Sequence, residues 1–130
     1  TGHFDNDLQA HLEPIAADAK HPILTAANLT SEFLPAGSLY RTAPLLPGTQ
    51  LLLSANVEGQ TAQPLAWTFV RNDSGRSFYT SLGHVDDFAQ PQFEALLSAG
   101  IHWACGLQPH SRAEVEEQNQ RYASGGGKQR

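Results

Sequence analysis

Two β-rich runs close around one tight turn, and that pairing constrains the chain more than any other feature in it. Leu65-Ala66-Trp67-Thr68-Phe69-Val70 and Arg76-Ser77-Phe78-Tyr79-Thr80-Ser81-Leu82 flank Asn72-Asp73-Ser74-Gly75. Branched and aromatic residues suit a pleated surface, and Asn, Asp, Ser and Gly tolerate the backbone angles of a reversal. The stretch therefore predicts a β-hairpin. A helix follows it. Phe93, Leu96, Leu97, Ile101 and Ala104 fall on one stripe at the 3.6-residue period. Pro91 suits the first helical position, where its missing N–H costs nothing, and Gly106 suits the position just past Cys105.

Upstream, Leu39–Thr42 and Thr49–Ala55 read as strands on either side of Pro44, Pro47 and Gly48. Leu51-Leu52-Leu53 does not alternate, which predicts a strand covered on both faces, as in a parallel α/β sheet. Leu8, Leu12 and Ile15 have helical spacing that Pro14 interrupts, and Pro22 and Pro35 point to extended chain and turns. The composition changes near Pro109. The reading is a domain over 1–108 and a polar tail over 109–130, the tail being a short polar helix passing into disorder, or a linker.

Charge and composition narrow the functions. The net charge is -5, and the basic residues before position 110 (Lys20, Arg41, Arg71, Arg76) are scattered. No basic stripe gathers phosphates, so nucleic acid is not expected as a partner. No apolar run approaches the ~18 residues of a membrane span. One cysteine rules out an internal disulfide. The absence of methionine, even at position 1, implies a processed product or a piece of a longer chain. It leaves the compartment open, with the cytoplasm favoured.

The chemistry concentrates in Tyr79-Thr80-Ser81-Leu82-Gly83-His84-Val85-Asp86-Asp87-Phe88, where a strand gives way to a helix. Ligands of open α/β sheets bind at such strand ends. Imidazole exchanges protons near neutral pH, which makes His84 the candidate acid/base, with Asp86 or Asp87 to orient it. The plainer alternative is that both aspartates serve the helix N-terminus and His84 bonds a carbonyl. No cofactor is expected. A divalent metal at His84, with His3 and a carboxylate, is an alternative, but no histidine pair has the i, i+4 spacing of a metalloprotease helix. His11, His21 and His110 read as loop residues, and His102 as the outer face of the helix. Cys105 reads as a small buried hydrophobe at the wrong helix end for a nucleophile. Tyr40 is either a ligand contact or a partly buried aromatic, and Trp67 and Trp103 read as core.

His21-Pro22-Ile23-Leu24, Gly37-Ser38-Leu39-Tyr40, Pro64-Leu65-Ala66-Trp67-Thr68, Gly75 through His84, Asp87-Phe88 and Ile101-His102-Trp103-Ala104 follow one another in an order and spacing that resembles the carboxyl-terminal half of the ThuA-like (trehalose-utilisation) family. The resemblance covers about residues 1–107. It implies a partial flavodoxin-like α/β sandwich, related to class I glutamine amidotransferases but lacking their Cys-His-Glu triad. It also implies a link to disaccharide and keto-sugar catabolism in bacteria. His84 matches the family's Gly-His and Tyr40 its Leu-Tyr, while Gly2-His3 is similar to a histidine-bearing loop. Where many members carry Asp-Glu before Leu-Tyr, this chain has Gly37-Ser38. The family domain is also longer, so its amino-terminal strands are expected to be missing. An exposed sheet edge and apolar face would then be covered by a second copy or a partner.

Two functions follow as expectations. In the first, a sugar or keto-sugar is the small-molecule substrate of an isomerase, lyase or hydrolase-type reaction. His84 is its acid/base, Asp86 or Asp87 the orienting carboxylate, and Tyr40, Tyr79 and His3 ligand contacts. In the second, the chain is a non-catalytic carbohydrate-binding or scaffold module, or an inactive fragment.

Overall fold

The computed structural model describes residues 2–4, 10–14, 20–29 and 33–125. Leu8, Ile15 and the end of the glycine run, which figured in the sequence reading, lie outside them. The architecture is mixed α/β. Strands β1 (Ala10–Pro14), β2 (Gln50–Val57), β3 (Gln63–Val70) and β4 (Arg76–Thr80) form a four-stranded sheet in sequence order. Every described pairing in it is antiparallel, which corrects the parallel sheet expected from the leucine triplet. The triplet has another cause. Leu51 lies opposite Trp67 while Leu53 lies opposite Ala66, a register shift that makes room for one extra residue. A bulge of that kind lets two successive side chains, Leu52 and Leu53, both be buried. Alternation resumes beyond it, with Ala55 and Val57 buried on the same face as Leu53.

The hairpin forms as expected. Arg71 N donates to Gly75 O at 2.8 Å, and Ser74 takes the left-handed backbone the reversal demands. Leu39–Thr42 is not a strand. Its Tyr40 makes one isolated bridge to His3.

Helix α1 (Pro22–Ala27) begins where the sequence suggested extended chain. Pro22 occupies the opening of the helix rather than breaking it, and the His21 side chain accepts from Ile23 N at 3.2 Å as the cap. Helix α2 (Pro91–Ala104) starts at Pro91, and its C-cap is Cys105, followed by Gly106 at positive φ. Its buried stripe differs from the expected one: Phe93, Leu96, Ala99, Gly100 and Trp103 are buried, whereas Ile101 is 55% exposed. The reason is close approach to the sheet. A Cβ at Gly100 would run into the Phe78 ring of β4, so the helix presents its Gly100 face to the sheet while Ile101 lies on the solvent side. Arg76 Nη1 donates to Trp103 O at 3.2 Å, a cation at the helix's negative end. Cys105 is exposed, not buried. Helix α3 (Arg112–Gly125) buries no residue; it touches α2 through Asn119 Nδ2, which donates to Glu94 Oε2 at 3.1 Å. No helix among the described residues is long and apolar enough to cross a membrane.

The core lies between the inner sheet face and the helices, where Leu53, Ala55 and Ala66 meet Ile23, Leu96 and Trp103. At roughly 25 cal/mol per Å² of apolar area, this burial is the main stabilising term. The outer face is different. Trp67 is half-buried rather than core, and stacks on Tyr79 with ring centroids 4.1 Å apart. Phe69 and, in the loop beside it, Leu46 remain exposed.

Candidate functional site

The chain leaving β4 stays attached to the start of β3, because Ser81 N donates to Leu65 O at 2.9 Å. It then turns at Gly83, whose φ of +136° suits a residue without a Cβ. His84 follows, ahead of a short 3₁₀ turn over Val85–Ala89 that precedes α2. This corner forms one wall of a cleft of about 670 Å³, within the usual range for small-molecule sites. The opposite wall comes from Pro35, Ala36, Gly37, Ser38 and Tyr40, with His3 at one side.

Asp87 joins the two walls. It is 1% exposed. Its Oδ2 accepts from Gly83 N and His84 N, each at 3.0 Å, and its Oδ1 accepts from Ala36 N at 2.9 Å. Both oxygens are thus committed to backbone, and such charge-assisted bonds are strong. Gln90 Nε2 adds a second tie to Leu34 O at 3.2 Å. The carboxylate serves the turn and the opposite loop, the plainer of the two roles the sequence offered.

The His84 ring is oriented from the backbone instead. Its Nδ1 accepts from Asp86 N at 3.2 Å. A backbone N–H can only donate, so in the neutral ring Nδ1 is bare and the proton sits on Nε2. The Asp86 carboxylate stands 3.6 Å from the same Nδ1, on exposed ground outside the cleft lining. Gly37 packs against this side chain, since a Cβ there would lie 3.2 Å from His84 Cβ and 3.8 Å from the ring's Cγ and Cδ2.

His3 reaches the cleft by a route no local pattern reveals. Phe4 N donates to Leu39 O at 2.9 Å and Arg41 N to Gly2 O at 2.8 Å, so Gly2–Phe4 is laced along Leu39–Arg41. The His3 and Tyr40 rings meet edge to face at 6.1 Å. Both also line a smaller neighbouring cavity of about 300 Å³, with Tyr79 and Arg41. The structure thus brings His84, Asp87, Tyr40 and His3 to one cleft and puts Tyr79 in the adjoining one, leaving only the Asp86 carboxylate outside both. Among the described residues no three His, Cys, Asp or Glu side chains are grouped to hold a metal ion.

A small α/β domain with a histidine-lined cleft beside a β-hairpin is the class these observations define. The family model for ThuA, trehalose utilisation, matches residues 2–104, and the chain belongs to that family. No curated protein and no solved structure matches it.

Proposed function

We propose that this chain acts on a sugar or sugar derivative bearing a carbonyl, with His84 as the group that engages the carbonyl oxygen. The observation that carries this reading is the contact of Asp86 N with His84 Nδ1 at 3.2 Å, which assigns the ring proton to Nε2. The Asp86 N–H holds Nδ1 and leaves an Nε2–H donor on a ring bordering the cleft. A fixed donor aimed at oxygen is most useful where negative charge grows on that oxygen, as when a proton leaves the adjoining carbon. The family's link to trehalose utilisation supports a sugar as the bearer of the carbonyl. Tyr40 and, in the adjoining cavity, Tyr79 supply aromatic surface for the C–H faces of a sugar ring.

The reading is tested with a panel of ketoses and keto-disaccharides, comparing wild type with His84→Ala. Turnover is expected to fall by roughly 10²-fold or more, the usual contribution of a positioned acid/base group. Unchanged turnover would remove His84 from the reaction. A second reading, a non-catalytic carbohydrate-binding module, draws support from Asp87, whose oxygens are both committed to backbone, and from Gly37-Ser38 standing where many family members have two carboxylates. Calorimetry with disaccharides separates the two, since a module binds without turnover.

A further inference from the structure

We infer that His3 is the general base of the reaction, working opposite the donor at His84. This rests on the reading just given and adds the missing half of its proton traffic. The two rings are held in opposite tautomers by opposite kinds of backbone group. His3 Nδ1 lies 2.9 Å from Phe4 O. A carbonyl can only accept, so His3 Nδ1 carries the proton and Nε2 keeps its lone pair. His84 Nδ1 faces an N–H, and its proton is therefore on Nε2. One ring is built to take a proton and the other to give a hydrogen bond, and both border the same cleft.

Among the described residues lining that cleft, no other group fits the base. The oxygens of Asp87 are occupied by three N–H groups. Ser38, Ser81 and Tyr40 offer hydroxyls, which are poor proton acceptors. His3 is also well seated, held by the two backbone bonds that flank it and by the edge of Tyr40.

The step balances without an added reagent. His3 Nε2 takes a proton from the carbon next to the carbonyl, and the C–H electron pair becomes a C=C bond. The carbonyl π pair moves to oxygen, where the His84 Nε2–H holds the enediolate. Return of the proton from His3 to the former carbonyl carbon, with the hydroxyl proton passing between the two oxygens, gives the ketose–aldose isomer. When the proton on His3 exchanges with D₂O before it returns to the original carbon, deuterium is left there.

Two measurements on the full chain test this. The first is long-range ¹H–¹⁵N correlation of the imidazoles in ¹⁵N-histidine protein, with His3→Gln and His84→Gln used to assign the signals. His3 is expected to show a protonated Nδ1 and His84 a protonated Nε2, and matching tautomers would overturn the inference. The second follows C–H to C–D exchange of dihydroxyacetone and D-fructose by NMR. His3→Gln is expected to slow exchange by roughly 10²-fold or more, with the His84 signal unmoved as proof that the cleft persists. His84→Gln, which keeps an N–H donor, is expected to retain more exchange than His84→Ala. Exchange lost in His84→Ala but indifferent to His3→Gln would overturn the role of His3 while leaving that of His84 standing. No exchange in the wild type would overturn the carbonyl reading itself, and the base with it.

Discussion

The turn at Asn72–Gly75 and the corner at Gly83–Asp87 each follow a β-strand, and each hangs on one aspartate that accepts backbone N–H groups. Asp73 Oδ1 takes the Gly75 N–H at 2.9 Å and pairs with Arg71, all within five residues of chain and all exposed. Asp87 is buried and reaches across 51 residues to Ala36. Losing Asp73 returns a local turn to water, which solvates its donors at little cost. Losing Asp87 strands three donors beside the cleft and unties its walls. The same chemistry is therefore nearly neutral in one case and structural in the other, because burial and sequence separation differ.

Asp87→Ala is the harshest way to break this contrast. It is expected to cost on the order of 3 kcal/mol, seen as a drop in Tm of roughly 10 °C. Asp87→Asn retains the shape and one acceptor oxygen, so it is expected to fall between the two, and a loss as small as that at Asp73 would erase the distinction. A packing benchmark comes next. Gly100→Ala drives a methyl into the Phe78 ring and is expected to cost about 2 kcal/mol by overpacking, read by urea denaturation. Gly37→Ala presses on His84 without touching the clamp. It is expected to cost about 1 kcal/mol and to move the His84 ¹H–¹⁵N signals, and unmoved signals would show that the ring has room to yield.

The smallest effect lies at Asp73, where replacement by Ala is expected to leave Tm nearly unchanged. The Arg71 guanidinium first, and the Gly75 N–H second, hold its carboxyl below the usual aspartate value. A depressed value in the folded state means that the turn's contribution is complete above the ordinary carboxylate range. It disappears as pH falls through the lower, folded value. The Gly75 amide resonance should follow that titration, and added salt should bring its midpoint back toward the ordinary value, since the ion pair is exposed.

What the sequence made legible follows the same divide. The hairpin, the opening of α2 at Pro91 and the stop at Gly106 depend on residues within a turn of one another, and pattern reading finds them. The bulge at Leu52 does not announce itself, because three leucines in a row describe equally a strand buried on both faces and one that adds a residue against its partner. Pro22 misled for a related reason, since a proline that ends one element also opens a helix, and the His21 cap decides which. His84 and Tyr40 stood out through the motif they carry. The Asp87 clamp to Ala36 and the seating of His3 beside Tyr40 were out of reach, since both join residues more than thirty positions apart.

The lacing of Gly2–Phe4 to Leu39–Arg41 has a practical corollary for anyone preparing this protein. Among the described residues, two main-chain hydrogen bonds and the buried Phe4 ring seat the segment that carries His3, so a purification handle fused ahead of Gly2 would load the anchorage of the proposed base. A handle joined beyond α3, which borders neither cavity, spares that anchorage. Preparations tagged at opposite ends should therefore be compared in the exchange and binding measurements proposed above.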